Sequence, residues 1–279
     1  MKYWKYIFLF LLIAFNNSIM CGQSAQKHVV GYWQAGFFAA FIGVLNHLAW
    51  CKDTNMTPVI NWNNAIYYQA EGYNNSKDAW EYYFEPVSTL KYTPGDFVNS
   101  HFYAGQSIYF TGWTVDHFSR AKAYYLIKNY IKVNAIVQKK IDDFYNEHMK
   151  GKRTIGIHLR GTDKHTEEPQ VPVEKILEIA NSFADGQTQF FVASDDIRLF
   201  NKAKEILKGR VLSIDAFRIA TEQFFWVAYQ SNKAKLCEEV IIDCQLLSRC
   251  EKMIHTFSSV STAALFFNPW LDNILLTNR

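Results

Sequence analysis

From residue 154 to residue 267 the sequence alternates short apolar stretches with longer helical ones, and that alternation restricts the fold more than any single residue does. The spacing predicts strands over 154–160, 189–193, 211–213 and 253–256, with helices over 173–183, 196–208, 237–248 and 260–267. A helix between two strands carries the chain back to the edge it left, so such strands pair in parallel. The expectation is a Rossmann-like parallel sheet covered by helices. A shorter copy of the pattern comes first: a strand over 29–32, a turn at Gln34-Ala35-Gly36, a helix over 37–55 and a strand over 58–62. Phe41, Val44, Leu45, Leu48 and Ala49 share one face of that helix.

Between the two patterns, residues 63–118 are punctuated by Asn, Gly and Pro and are rich in aromatics, which reads as an irregular lid or the wall of a substrate cleft. Helical character returns over 121–131 and 133–149, and the polar run 150–153 breaks it. The reading is an α/β protein with an N-terminal α/β domain over 23–150 and a C-terminal Rossmann-like domain over 151–279.

Residues 1–22 read as a targeting segment. Lys2 and Lys5 flank the start of an apolar run over 7–15 that is short for a bilayer span, and Ser18, Cys21 and Gly22 are small residues suited to cleavage. A signal peptide is the first expectation and a short uncleaved membrane anchor the second, which gives a secretory or membrane-associated address. The chain has a formal charge of +3, and this segment holds two Lys and no acid, so the body is near neutral. No nucleic-acid partner is expected of such a body. Cys51, Cys237, Cys244 and Cys250 are an even set, compatible with two disulfides in an oxidising compartment. They contain no CxxC pair, so a structural zinc is not expected.

Polar residues collect where the predicted strands of the second half end. His158, Arg160, Thr162, Asp163 and Lys164 follow the first, Ser194, Asp195 and Asp196 the second, and His255 to Ser259 the last. Parallel strands end on one edge, so these clusters should converge. Ser258-Ser259 opens a helix, where free N–H groups and the helix dipole favour an anion, although taken alone the pair reads first as plain N-capping. Arg160, from a neighbouring strand end, can grip a phosphate bidentately. Together they make a diphosphate site without a Walker loop, for no GxxxxGK[ST] exists in the chain. Asp195-Asp196 lacks the spacing of a DxD metal site and suits the start of a helix, so no metal is expected. Asp243 sits among Ile241, Ile242, Leu246 and Leu247, where an unpaired acid is costly; it suits the N1–H and N2–H donors of a guanine edge, a buried salt bridge or a solvent-facing carboxylate. Glu167 and Glu168 follow Lys164, and either could serve as the base that an attacking hydroxyl needs, against the plainer reading of an exposed acidic loop.

These residues also carry a resemblance. His158-Leu-Arg-Gly-Thr-Asp-Lys164 resembles the His-x-Arg-Arg-Thr-Asp-Lys motif of the α-1,6-fucosyltransferase family. Asp243-Cys-Gln-Leu-Leu-Ser248 with His255-Thr-Phe-Ser-Ser259 is similar to that family's Asp-Leu-x-Leu-Leu-Ser and Cys-Thr-Phe-Ser-Ser block. Val192-Ala-Ser-Asp-Asp196 resembles its Ala-Thr-Asp-Asp strand end, and Gln34-Ala-Gly36 stands where the family has a Gly-rich turn. The likeness covers most of 154–265 and is weak over 29–150. It implies a GT-B-like fold of two facing α/β domains. It also implies an inverting, metal-independent transfer of fucose from GDP-fucose to a glycan acceptor, with GDP-fucose as donor substrate and no cofactor. By the same resemblance His158 and Asp243 read the guanine, and Arg160 and Ser259 hold the β-phosphate. Ser258, Asp163, Gly36 and Phe37 complete the donor site, and Lys164 with Glu168 (Glu167 as its alternate) deprotonates the acceptor hydroxyl. The chain departs from the family at Gly161, where a second Arg is usual, and at His165-Thr166, where Val-Gly is usual. Two other readings stay open: a transferase for another nucleotide sugar, and a catalytically inactive nucleotide- or glycan-binding protein.

Overall fold

The computed structural model describes residues 26–101, 108–161, 171–220 and 232–278. Strand β1 (Lys27–Gly31), helix α1 (Phe37–Thr54) and strand β2 (Thr57–Asn61) form a βαβ unit in which Val29 pairs in parallel with Val59. Helix α1 is buried on most of its circumference, so its apolar residues spread beyond a single stripe. Asn55 ends it in the left-handed conformation, φ 56°, and returns its N–H to the carbonyls of Cys51 and Lys52. A two-residue strand β3 (Val98–Asn99), too short to show a period in sequence, adds to the other side of β1. Helices α2 (His117–Tyr130) and α3 (Ala135–Phe144) follow, capped by Asp116 and Asn134, whose side chains accept from Ser119 N and Val137 N at 2.9 and 3.0 Å.

The second sheet holds β4 (Thr154–Leu159), β5 (Gln189–Ser194), β6 (Val211–Leu212), β7 (Lys252–His255) and β8 (Asp272–Leu275) in the order β6-β5-β4-β7-β8. Every pairing is parallel, as the alternation requires. Helices α4 (Val173–Ser182) and α5 (Ile197–Leu207) cover one face, while α6 (Lys233–Leu247) and α7 (Ser259–Phe267) cover the other. Strand β5 shows the division with its period of two: Phe190 and Val192 pack with Leu177 and Ala203, whereas Phe191 and Ala193 face Leu247 and Ala264. Strand β8 was not foreseen. It is a half-exposed edge strand beginning Asp272-Asn273, with no apolar alternation to announce it.

The apolar core on the α6–α7 face draws on both sides of the run 150–153: Phe41 and Leu45 of α1, Trp80 and Phe84 share it with Ile241 and Leu265. The expectation for 63–118 holds only in part: Tyr67 and Trp113 line a cleft, but the stretch also supplies core. Trp80, Tyr82, Tyr83 and Phe84 are core rather than lid, with the Trp80 and Phe84 rings 4.5 Å apart. The two-disulfide expectation also fails, because Cys51, Cys237, Cys244 and Cys250 are free and buried. They act as small apolar filler, and burial pushes the Cys51 thiol up to about 12. The targeting segment 1–22 lies outside the described residues. Among the described residues no helix is long and apolar enough to cross a membrane.

Candidate active site

Since all strands of the second sheet are parallel, the exits of β4, β5 and β7 lie on one edge, where His158 pairs in register with Ala193 and His255. A cleft of about 890 Å³ opens at this edge and takes its walls from both halves of the chain. His158, Arg160, Asp243, Ser258 and Ser259 line it, and Gly36 and Phe37 face it from the start of α1. The structure thus brings together seven residues singled out in sequence. Asp163, Lys164, Glu167 and Glu168 lie outside the described residues.

Arg160 leaves β4 and forms an ion pair with Asp195, which leaves β5 alongside it. Asp195 also accepts the backbone N–H of Gly161 at 2.9 Å. Its carboxylate therefore ties two adjacent strand exits together and holds the guanidinium at the cleft. Asp196 takes the capping role: it starts α5, accepts from Arg198 N at 2.8 Å and pairs with the Arg198 guanidinium at 2.6 Å. Burial alone would raise the Asp196 carboxyl, but the hydrogen bonds from Arg198 outweigh it and hold it below the usual range. Each carboxylate of the pair is already engaged by a cation.

Asp196 also explains Gly161. A Cβ at position 161 would stand 2.4 Å from the Asp196 Cβ, so no side chain fits there, let alone a second Arg. Gly161→Ala is expected to destabilise the protein by about 1–3 kcal/mol, the usual cost of overpacking. A thermal melt should show this as a drop of several degrees, and an unchanged melting point would refute the packing account.

Two helix N-termini open on the cleft. Helix α1 has no side-chain cap, its N-cap residue being Gly36, and α7 is capped by Ser258, whose Oγ accepts from Val260 N at 3.3 Å. Ser258 thus does cap, which leaves Ser259 and the helix dipoles facing the cleft. Asp243, on α6, is 8% exposed, and its Oδ1 has no hydrogen-bond partner among the described residues. Burial pushes its carboxyl up to about 8, with Arg218 opposing the rise and Glu239 adding to it. Of the alternatives for Asp243, a solvent-facing carboxylate is excluded. Arg218 donates from Nη1 and Nη2 to the carbonyls of Ala216 and Ile214 at 3.0 and 3.2 Å, while its Nε has no hydrogen-bond partner among the described residues.

Sequence reasoning missed Asp195 as the partner of Arg160, and it missed Trp33, which lines the same cleft while 46% exposed; Trp113, in the stretch read as a lid or cleft wall, lines it too, 42% exposed. Knowing that the Asp195 strand neighbours the Arg160 strand would have found the first.

No family model matches the chain, and no curated protein matches it in sequence. Solved structures do match its fold. The NodZ alpha-1,6-fucosyltransferase soaked with GDP-fucose superposes with a TM-score of 0.56 at 17% identity, over 88% of this chain and 93% of that one. A NodZ structure from Bradyrhizobium gives 0.54 at 16% identity, over 86% and 92% of the two chains. POFUT1 in complex with GDP gives 0.55 at 10% identity, over 91% and 99%. The chain has the fucosyltransferase fold. That fold is α/β with parallel sheets and is GT-B-like, as the resemblance implied.

Proposed function

We propose that the chain is an inverting glycosyltransferase that moves fucose from GDP-fucose to a hydroxyl of a glycan acceptor. The observation that carries this reading is the convergence in one cleft of a guanidinium, two helix N-termini and a buried carboxylate whose Oδ1 has no hydrogen-bond partner among the described residues. These are complementary to a diphosphate and to a base that offers adjacent N–H donors. Similar folds in solved structures hold GDP or GDP-fucose.

In the proposed reaction an acceptor hydroxyl attacks C1 of fucose as the bond from C1 to the β-phosphate oxygen breaks, and GDP leaves. Charge builds on that oxygen, and Arg160 with the α7 N-terminus stabilises it, so the reading needs no divalent ion for this task. The phosphate competes with Asp195 for the guanidinium. The acceptor proton passes to a base, for which Lys164 with Glu168 are the candidates by resemblance alone. On the acceptor side, Trp33 and Trp113 offer flat apolar faces at the cleft, suited to stacking a pyranose. Trp33→Ala should raise the acceptor KM about tenfold, the equivalent of one lost stacking contact. GDP affinity should be unchanged in that variant; a loss of GDP binding would assign Trp33 to the donor instead.

The deciding experiment is a thermal shift with GDP and with UDP, followed by release of GDP from GDP-fucose in the presence of glycans. GDP should stabilise the protein and UDP should not. Equal stabilisation by both would favour another nucleotide sugar, and GDP binding without transfer to any glycan would favour an inactive binding protein.

A further inference from the structure

Helix α2 carries a buried cation that the proposed reaction does not use. Arg120 is 4% exposed. Its Nη2 donates to Asn273 Oδ1 on β8 at 2.7 Å, while Nε and Nη1 have no hydrogen-bond partner among the described residues. Asn273 Nδ2 lies 2.9 Å from His255 Nε2 at the end of β7. His255 Nδ1 lies 3.0 Å from the carbonyl of Thr256.

These contacts have a direction. A guanidinium can only donate, so Arg120 requires the Asn273 oxygen on its side and turns the amide nitrogen toward His255. That nitrogen can only donate, so Nε2 accepts and the imidazole proton sits on Nδ1, where it reaches the Thr256 carbonyl. His255 is held neutral, its pKa lowered to about 4 by burial first, with the Arg120 charge adding to the fall against the Thr256 carbonyl. The Thr256 carbonyl also accepts from Ser261 Oγ at 3.1 Å, and the same hydroxyl lies 3.0 Å from the Ser258 carbonyl. The polar chain therefore ends in the turn that presents Ser258 and Ser259 to the cleft.

A buried guanidinium with a single hydrogen bond is a costly group, and an apolar side chain of the same length would fill the place more cheaply. His255 stands where the resembled block has Cys, whose single sulfur donates and accepts only weakly. We propose that Arg120 is a positioning residue for the anion-binding turn: through Asn273 and His255 it fixes the Thr256 carbonyl and so holds Ser258 and Ser259 in place to receive the diphosphate. The diphosphate in that statement rests on the functional reading above, whereas the hold on the turn does not. Because α2 belongs to the first half of the chain, that half then helps to set the donor site in the second.

The test uses Arg120→Met, Asn273→Leu and the double variant of the full chain, with GDP as the probe. Each single variant should weaken GDP binding by about tenfold, and the double no further, because both break one chain. The melting temperature of unliganded Arg120→Met should stay level or rise, and a donor KM that rises at constant kcat should accompany it. Hydrogen exchange of the amides over 256–261 should speed up by about tenfold in each variant. If Arg120→Met does not fold, Arg120→Lys, which keeps the charge and can still donate to Asn273, takes its place with a smaller loss. Unchanged exchange and unchanged GDP affinity in folded variants would overturn the proposal, as would additive losses in the double. Wild-type protein that does not bind GDP would refute the functional reading instead, and the exchange of 256–261 would still decide the relay.

Discussion

Replacing Arg160 by Ala should abolish turnover, with kcat falling by about 10²–10³, the range seen when one transition-state donor is lost. GDP affinity should fall with it, since the guanidinium is the cation that the β-phosphate would meet in this cleft. The substitution has a second effect that must be separated from the first. Asp195, paired with Arg160 and little exposed, would lose that countercharge, and breaking such a pair costs about 3–5 kcal/mol where both groups are buried. The pair here is partly exposed, so the cost lies below that range. Arg160→Lys separates the two, because an ammonium can still neutralise Asp195 but offers no planar fork to a phosphate. The Lys variant should melt close to wild type and still lose most of the activity. A Lys variant with near wild-type kcat/KM would sink the role assigned to Arg160.

The second large effect is a dependence of GDP binding on pH. Burial pushes the Asp243 carboxyl up to about 8, with Arg218 opposing the rise and Glu239 adding to it. At neutral pH it is mostly protonated, yet the N–H donors of guanine call for the ionised form, so binding expels a proton. GDP affinity should therefore rise with pH by up to about tenfold per unit below pH 8 and level off above it. In Asp243→Asn the slope should vanish, and affinity at alkaline pH should fall about 10–100-fold. Stability of the unliganded protein has the opposite sign. A carboxyl raised from its usual value of 3.8 contributes stability that is full below 3.8 and is lost as pH rises through about 8, so the melting point should fall between about pH 4 and 8 and level off above. Calorimetry in two buffers of different ionisation enthalpy counts the released proton, and a wild-type affinity flat in pH would refute the assignment.

How much of this was legible in the sequence differs by element. Strands β4, β5 and β7 could be read because a buried parallel strand is nearly all apolar and its polar exit is abrupt, as at His158, Ser194 and His255. Strand β8 could not, since its first residues are Asp272 and Asn273 and its neighbour β7 supplies the order. The cleft residues were legible as a set because parallel strands share an edge. Which of them touch was not, because the pairing of Arg160 with Asp195 depends on β5 lying beside β4, a fact of topology rather than of local sequence. Aromatic content was legible as a number but not as a place: Trp80 is core and Trp113 faces the cleft, although both belong to the same loop-rich stretch. The relay from Arg120 to Thr256 joins residues from three elements and had no signal at all.

The apolar core that runs unbroken from α1 through Trp80 to α6 and α7 has a consequence for how such a protein can diversify. Two halves joined by a thin polar seam can be traded between relatives as finished parts. Here the first half is moulded around Ile241 and Leu265 of the second, so a foreign half would bring mismatched volumes to a shared interior. A new acceptor preference would have to arise residue by residue around Trp33 and Trp113, at the rim of the cleft, while the interior keeps both halves in register.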